Sequence, residues 1–300
     1  MEFNSLIFPH GPSSYTTKTF DGNLIYIPRH NHSEESPNHI PVFPNPKRKY
    51  THIQSFTKTE YIPCLYLPYH LGSNKTMLYF HGNSEDLGQV FDFLMYIRSS
   101  LCINIAAMEY PAYGIYQAKE CTATQILEDA RIVFDYFTSY VGIDQDDIFI
   151  MGRSIGTGPA TYLASKCDLA LLILMSGFTS LRAVVKEVAG KIFQYVVKDR
   201  FNNLENIKSV SCPVLLIHGL ADTTINFNQS KQLSDLCLKH GIMHKLVTPK
   251  QMSHVNMDFE DDFIIPLMSF MKECDIVIRC EKNLIQSDII RKNFSCIAKY

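Results

Sequence analysis

From about residue 51 onward, short apolar runs rich in β-branched or aromatic residues alternate with stretches of helical spacing, and that alternation restricts the chain to few folds. The runs are Met77–Phe80, Ile103–Met108, Ile148–Met151, Leu169–Met175, Val214–Ile217 and Lys245–Thr248. Between most of them lie Leu87–Leu101, Ala123–Tyr140, Ile155–Ser165 and Gln229–His240, and Met257–Lys272 follows the last. In Ala123–Tyr140 the residues Ile126, Leu127, Ala130, Val133, Phe134 and Phe137 recur at steps of three and four, which is one face of an amphipathic helix. Strands joined through helices must run parallel, so the expected architecture is α/β: a mostly parallel central sheet with helices on both faces. In such sheets reactive groups gather beyond the carboxyl ends of the strands.

Four segments at strand ends carry candidate chemistry. Gly152-Arg-Ser154-Ile-Gly156 fits G-x-S-x-G between a strand and a helix, the context in which a serine hydroxyl projects above the sheet as a nucleophile. His81-Gly82-Asn83 follows the run Met77–Phe80. Its backbone, through Asn83 or alternatively Gly82, can supply an N–H to an oxyanion together with Ile155, the residue after the serine. His81 itself precedes the nucleophile and is expected to pack or hydrogen-bond within its loop. After Val214–Ile217 comes His218-Gly-Leu-Ala-Asp222, whose carboxylate can orient a histidine; Asp199 is held in reserve. His254, in Gln251-Met-Ser-His254, lies after the last strand and is the general-base candidate. The order Ser154, Asp222, His254 is the one that an α/β-hydrolase fold demands. The spacings leave no room for a large inserted lid, so any cap is small. Phe178–Lys208 is the one candidate, with Leu181, Val184, Val185, Val188, Ile192 and Val196 on its apolar face serving either an acyl site or, more simply, the core.

The remainder of the composition narrows the setting. A formal net charge of −2 offers no footprint for nucleic acid, and the basic run Lys47-Arg48-Lys49 is short enough to be a solvated linker. Nine cysteines without a C-x-x-C pair read as reduced thiols, hence a cytoplasmic protein without a disulfide framework, and no His/Cys spacing suits a metal. No cofactor is implied. No secretory signal, lipidation motif or membrane-spanning run is evident, so the protein is expected to be soluble or at most peripheral at membranes. The Pro- and His-rich residues 1–50 read as an extended, partly disordered extension, 51–273 as the α/β-hydrolase domain, and 274–300 as a tail without an evident role.

Beyond the fold, His81-Gly-Asn-Ser-Glu-Asp-Leu-Gly88, Glu109-Tyr-Pro-Ala-Tyr-Gly114, Gly152-Arg-Ser-Ile-Gly-Thr157, Cys212-Pro-Val-Leu-Leu-Ile-His-Gly219 and Phe8-Pro-His-Gly-Pro-Ser-Ser-Tyr15 together resemble the α/β-hydrolase domain-containing protein 17 family. That resemblance implies a serine thioesterase removing palmitoyl groups from cysteines of membrane-associated proteins. It also implies triad roles for Ser154, Asp222 and His254, an oxyanion loop at His81–Asn83, and an acylated protein or small acyl ester as partner. Two departures stand out. The family's N-terminal cysteine cluster has no counterpart before Cys64, and Ser253 precedes the histidine where the family usually has glycine. From the residues alone, a generic carboxylesterase, lipase or peptidase and a non-catalytic binding scaffold stay open beside the thioesterase.

Overall fold

Among the described residues, six of the eight strands pair in parallel because each is joined to the next through a helix, and they form one contiguous block that reaches an edge of the sheet. The computed structural model describes residues 7–29, 61–189 and 200–280. The strands are β1 Leu24–Pro28, β2 Tyr61–Leu67, β3 Thr76–Phe80, β4 Asn104–Met108, β5 Ile148–Arg153, β6 Leu171–Met175, β7 Val214–Ile217 and β8 His244–Val247. The helices flanking them are α1 Leu87–Leu101, α2 Ala123–Asp135, α3 Thr157–Ala164, α4 Leu181–Ala189, α5 Asn228–Lys239 and α6 Ile265–Glu273. The spatial order is β1-β2-β4-β3-β5-β6-β7-β8, with β1 and β2 antiparallel to their neighbours. From β4 across to β8 every pair is parallel.

Both faces are covered, and side-chain alternation decides which residue meets which helix. Along β3, Leu78 and Phe80 join a core with Ala130 and Val133 of α2 and Ala160 and Leu163 of α3. Met77 and Tyr79 point the other way, to Leu94 and Ile97 of α1 and Leu267 and Phe270 of α6. Each fully buried Leu, Ile or Phe contributes about 1.5–3 kcal/mol relative to exposure. Helix starts follow their sequence signals. Asp86 caps α1 in a reciprocal box with Gln89, and the Thr122 hydroxyl accepts the Gln125 N–H to open α2. The single helix expected over Ala123–Tyr140 changes character at its end: the α-helix stops at Asp135 and a π-helical turn occupies Tyr136–Tyr140.

The boundary expected at residue 50 is corrected by residues 7–29. Leu24–Pro28 is a strand of the sheet, registered against β2 from Leu24 opposite Leu65 to Pro28 opposite Tyr61. Upstream of it, Phe8, Tyr15 and Phe20 are buried. The reason is physical: β1 covers β2, an otherwise open antiparallel edge, and the aromatic side chains fill space above α1 and the adjoining loops. The Lys47–Lys49 run, Asp199 and the parts of the proposed extension at 1–6 and 30–50 lie outside the described residues. At the other end, Ile276 and Ile278 pack on the α1/α6 core. Arg279 also exchanges two hydrogen bonds with Asn74, at 2.7 and 3.0 Å, so the fold continues past residue 273; residues 281–300 lie outside the description. Of the cap candidate, Leu181 is buried and Val184 packs partly against the main core, as core packing requires. Val185 is half-buried, while the Val188 side chain, Ile192 and Val196 are outside the described set.

Arg29, just after β1, fixes the N-terminal segment electrostatically. Its Nε donates to Asp129 Oδ1 at 2.7 Å and its Nη2 to Glu128 Oε2 at 2.7 Å, while the Tyr116 hydroxyl donates to Asp129 Oδ2 at 2.9 Å. Asp129 is fully buried. Burial pushes its carboxyl up to about 6, although Arg29 and Tyr116 pull it down. Removing Arg29 would leave a buried carboxylate without its counter-charge, a loss of about 3–5 kcal/mol. Arg29→Met is therefore expected to destabilise the fold by that amount at pH 8 in urea unfolding. The penalty should shrink at pH 5, where Asp129 takes up a proton in the folded variant. Equal stability of variant and wild type at pH 8 would mean that the Arg29–Asp129 pair adds nothing net to the fold.

Candidate active site

The carboxyl ends of β3, β5, β7 and β8 converge at one edge of the sheet, and each delivers one of the residues singled out in the sequence. β5 runs into Ser154, which adopts φ +52°, in the left-handed region that L-residues avoid. The turn is enforced from both sides. A Cβ on Gly152 would lie 2.3 Å from the carbonyl oxygen of Gly156. A Cβ on Gly156 would lie 2.2 Å from the carbonyl oxygen of Phe80. Only glycines at both positions let the turn fold back on itself and press against the end of β3. A 3-10 turn, Ser154–Gly156, then leads into α3, so the Ile155 N–H belongs to a helix start, where backbone donors have no acceptor within their own helix.

His254 lies on the loop after β8. Its Nε2 is 3.1 Å from Ser154 Oγ and its Nδ1 2.8 Å from Asp222 Oδ2. Asp222 Oδ1 accepts the Thr224 and Ile225 N–H groups, both at 2.9 Å. Burial raises the Asp222 carboxyl, but the bonds from His254, Ile225 and Thr224 outweigh it and hold it below the usual carboxylate range. An ionised Asp222 only accepts, so His254 carries its proton on Nδ1 and presents the Nε2 lone pair to the serine hydroxyl. The three residues are thus joined in one hydrogen-bonded chain, in which Ser154 is 8% exposed.

A second histidine stands near the same carboxylate. His218 Nε2 is 3.5 Å from Asp222 Oδ2, but that nitrogen donates to the Ile225 carbonyl at 2.9 Å and Nδ1 meets the Ser230 hydroxyl at 2.7 Å. Burial lowers its basicity against the opposing pull of Ile225 and Asp222. With both nitrogens committed and no exposure, His218 supports the Asp222 loop and has no access to Ser154.

The loop after β3 is held with equal care. His81 is fully buried, with Nε2 2.9 Å from Glu109 Oε1 and Nδ1 2.9 Å from the Gly82 carbonyl. Burial opposes its protonation, but the two acceptors prevail and its pKa is raised. Glu109, also fully buried, further accepts the Tyr15 hydroxyl at 2.7 Å and the Leu87 N–H at 3.2 Å. The Asn83 side chain bridges the Ile7 carbonyl, at 2.8 Å, and the Tyr113 hydroxyl, at 2.7 Å. The N-terminal Phe8–Tyr15 motif is therefore part of the support beneath this loop. Of the two donors left open by the sequence, the Gly82 N–H is committed to Glu85 Oε2 at 2.7 Å. That removes Gly82 and leaves Asn83 as this loop's donor candidate. The roles of Glu85 and Glu109 escaped the sequence reading because their partners Arg153 and His81 lie 68 and 28 residues away, and that of His218 because its bonds to Ile225 and Ser230 exist only once the loop has folded.

Comparisons with known proteins show what the chain is similar to. The Prolyl oligopeptidase family matches residues 174–274, the stretch holding Asp222 and His254. Human Alpha/beta hydrolase domain-containing protein 17B is 31% identical over 181 residues, covering 60% of this chain and 62% of the human protein. Alpha/beta hydrolase domain-containing protein aho-3 of Caenorhabditis elegans is 33% identical over 165 residues, 55% of this chain and 48% of that one. The chain thus spans about half to three-fifths of the length of these relatives. Among solved structures, an esterase of Pyrococcus furiosus superposes with a TM-score of 0.59 at 16% identity, covering 71% of this chain and 87% of the esterase. An acylaminoacyl peptidase of Pyrococcus horikoshii gives 0.54 at 17% identity over 71% of this chain and 39% of the peptidase. The fold is that of the α/β-hydrolases.

The Gly156 contact gives a sharp test of the turn. Gly156→Ala forces a methyl group into the backbone carbonyl of Phe80, and overpacking of this kind costs about 1–3 kcal/mol. The expected outcome is a lower melting temperature together with loss of Ser154 reactivity, measured on the folded fraction. A variant with wild-type stability and reactivity would contradict the close approach described for this turn.

Proposed function

From its homology to the α/β-hydrolase domain-containing protein 17 proteins, we infer that this α/β-hydrolase-fold chain is a serine hydrolase that cleaves acyl esters and thioesters. The observation that carries the reading is the continuous chain Asp222–His254–Ser154, with contacts of 2.8 and 3.1 Å. In the proposed mechanism His254 Nε2 takes the Ser154 proton as Oγ attacks the acyl carbonyl. Asp222 holds the imidazole in its tautomer and stabilises the imidazolium. The N–H groups of Asn83 and Ile155 receive the oxyanion, each donor being worth about 3–4 kcal/mol in the transition state. Collapse expels the alcohol or thiol, which gains the proton from His254. Water then enters, loses a proton to the same imidazole, and releases the acid and free Ser154.

Within that class the substrate we propose is a palmitoyl thioester on a protein cysteine, as the family resemblance implies. Leu220 and Val255, close in sequence to Asp222 and His254, are exposed apolar side chains of the kind an acyl chain would contact. A thiolate leaves readily, so such a substrate asks for no leaving-group device beyond His254. A peptidase is the second reading, favoured by the match of residues 174–274 to the Prolyl oligopeptidase family.

A substrate panel separates these. Wild-type protein is expected to turn over palmitoyl-thioester peptides faster than short-chain esters, and both faster than aminoacyl amides. Ser154→Ala should lower kcat by about 10⁶-fold and Asp222→Asn by about 10⁴-fold. Preference for the amide would favour the peptidase. Folded wild type with no turnover of any of the three would point instead to a non-catalytic binding role.

A further inference from the structure

Three loops must keep their relative positions for the proposed reaction: the one after β3 carrying Asn83, the turn after β5 carrying Ser154, and the one after β8 carrying His254. One residue ties all three together: Arg153 directly precedes Ser154, and its guanidinium bonds the other two loops. Arg153, the residue before the nucleophile, donates from Nη1 to Glu85 Oε1 and from Nη2 to the His254 carbonyl oxygen at 2.8 Å. The other oxygen of Glu85 accepts the Gly82 N–H at 2.7 Å. A chain of charge-assisted bonds thus runs from the Gly82 amide through Glu85 and Arg153 to the backbone of His254.

We propose that Arg153, acting with Glu85, is a positioning residue that sets the oxyanion loop, the nucleophile turn and the histidine loop in register for acyl transfer. This deepens the serine-hydrolase reading and rests on it. Neither residue meets the reacting atoms, so neither is catalytic in the strict sense. Their effect runs through Asn83, whose N–H follows directly on the locked Gly82, and through His254, whose carbonyl is held on one side while Asp222 holds its ring on the other.

Several observations separate this contact from an ordinary surface pair, which would contribute little. The Arg153 side chain is 14% exposed and that of Glu85 23%. The Glu85 carboxylate sits directly against the Gly82 backbone, 2.6 Å from where a Cβ on Gly82 would lie. The chemistry also suits arginine in particular. A planar fork with five N–H donors can serve a carboxylate and a carbonyl on different loops at once, whereas a lysine ammonium is a point charge on a flexible stem. Most of the charge of Arg153 is answered by Glu85, leaving a carbonyl, a neutral acceptor, to be aligned by the second limb.

The test uses the full chain and a fluorophosphonate that reacts with Ser154, reading the limiting inactivation rate, the half-saturating probe concentration and the melting temperature. A misplacement of about 1 Å in a reacting group costs about 100-fold in rate. Arg153→Met is therefore expected to lower the limiting rate about 100-fold while the half-saturating concentration stays near wild type. Arg153→Lys should fall between the two, because one acceptor is lost. The double variant Arg153→Met/Glu85→Gln should be no slower than Arg153→Met alone, the mark of residues acting through one contact. A folded Arg153→Met protein that loses melting temperature but labels at the wild-type limiting rate would overturn the proposal. Should Arg153→Met fail to fold, Glu85→Gln, which keeps the volume, decides in its place, and an unchanged limiting rate again overturns it. Folded wild type that does not label would overturn the hydrolase reading and this proposal together, whereas labelling of wild type with unchanged variants overturns this proposal alone.

Discussion

Everything at the candidate site depends on how closely the turn after β5 can approach the end of β3. Gly156 sits against the carbonyls of Phe80 and His81, at a separation that a single Cβ would violate. Ser154 occupies a left-handed backbone conformation to make that approach. Such strain is retained only where the surroundings over-determine it. Here they do: β5 is paired on both sides, by β3 and β6, and α3 packs directly behind the turn through Ala160 and Leu163. The result is that a serine hydroxyl, a loop of backbone N–H groups and a histidine reach one place from strands far apart in the chain.

The loops themselves are positioned by polar contacts that the hydrophobic core cannot provide. Buried His81 and Glu109 hold the loop after β3, and Tyr15 from the N-terminal segment shares that carboxylate. Asp222 is held by two backbone N–H groups before it meets His254. Each of these buried polar groups has its partners, and a half-satisfied network would cost more than an apolar replacement. Satisfaction therefore ties the N-terminal segment, Arg29 included, to the same domain that carries the candidate site.

Much of this was legible in the sequence, for reasons that can be named. The parallel strands are short, mostly apolar and punctuated by Gly and Asp, and α1 runs over Leu87–Leu101 as its spacing predicts. The serine, aspartate and histidine stood out because the fold demands their order and each follows a strand. The antiparallel edge did not stand out. β1 is five residues ending at a proline, and β2 contains Pro63, so both resemble loop chemistry, and only pairing with each other and with β4 makes them strands. The ties from Arg153 to Glu85 and from Tyr15 to Glu109 were equally silent, being separated by 68 and 94 residues. Helical and strand periods report on local faces, and these contacts exist only once the sheet has assembled.

The central claim is that Ser154 is the acyl-accepting nucleophile, and peptide mapping of the adduct after fluorophosphonate treatment of the folded protein tests it most directly. The account expects a single stoichiometric modification on the peptide containing Ser154, absent when the protein is unfolded beforehand. An adduct at another serine, or no adduct on protein shown to be folded, would contradict it.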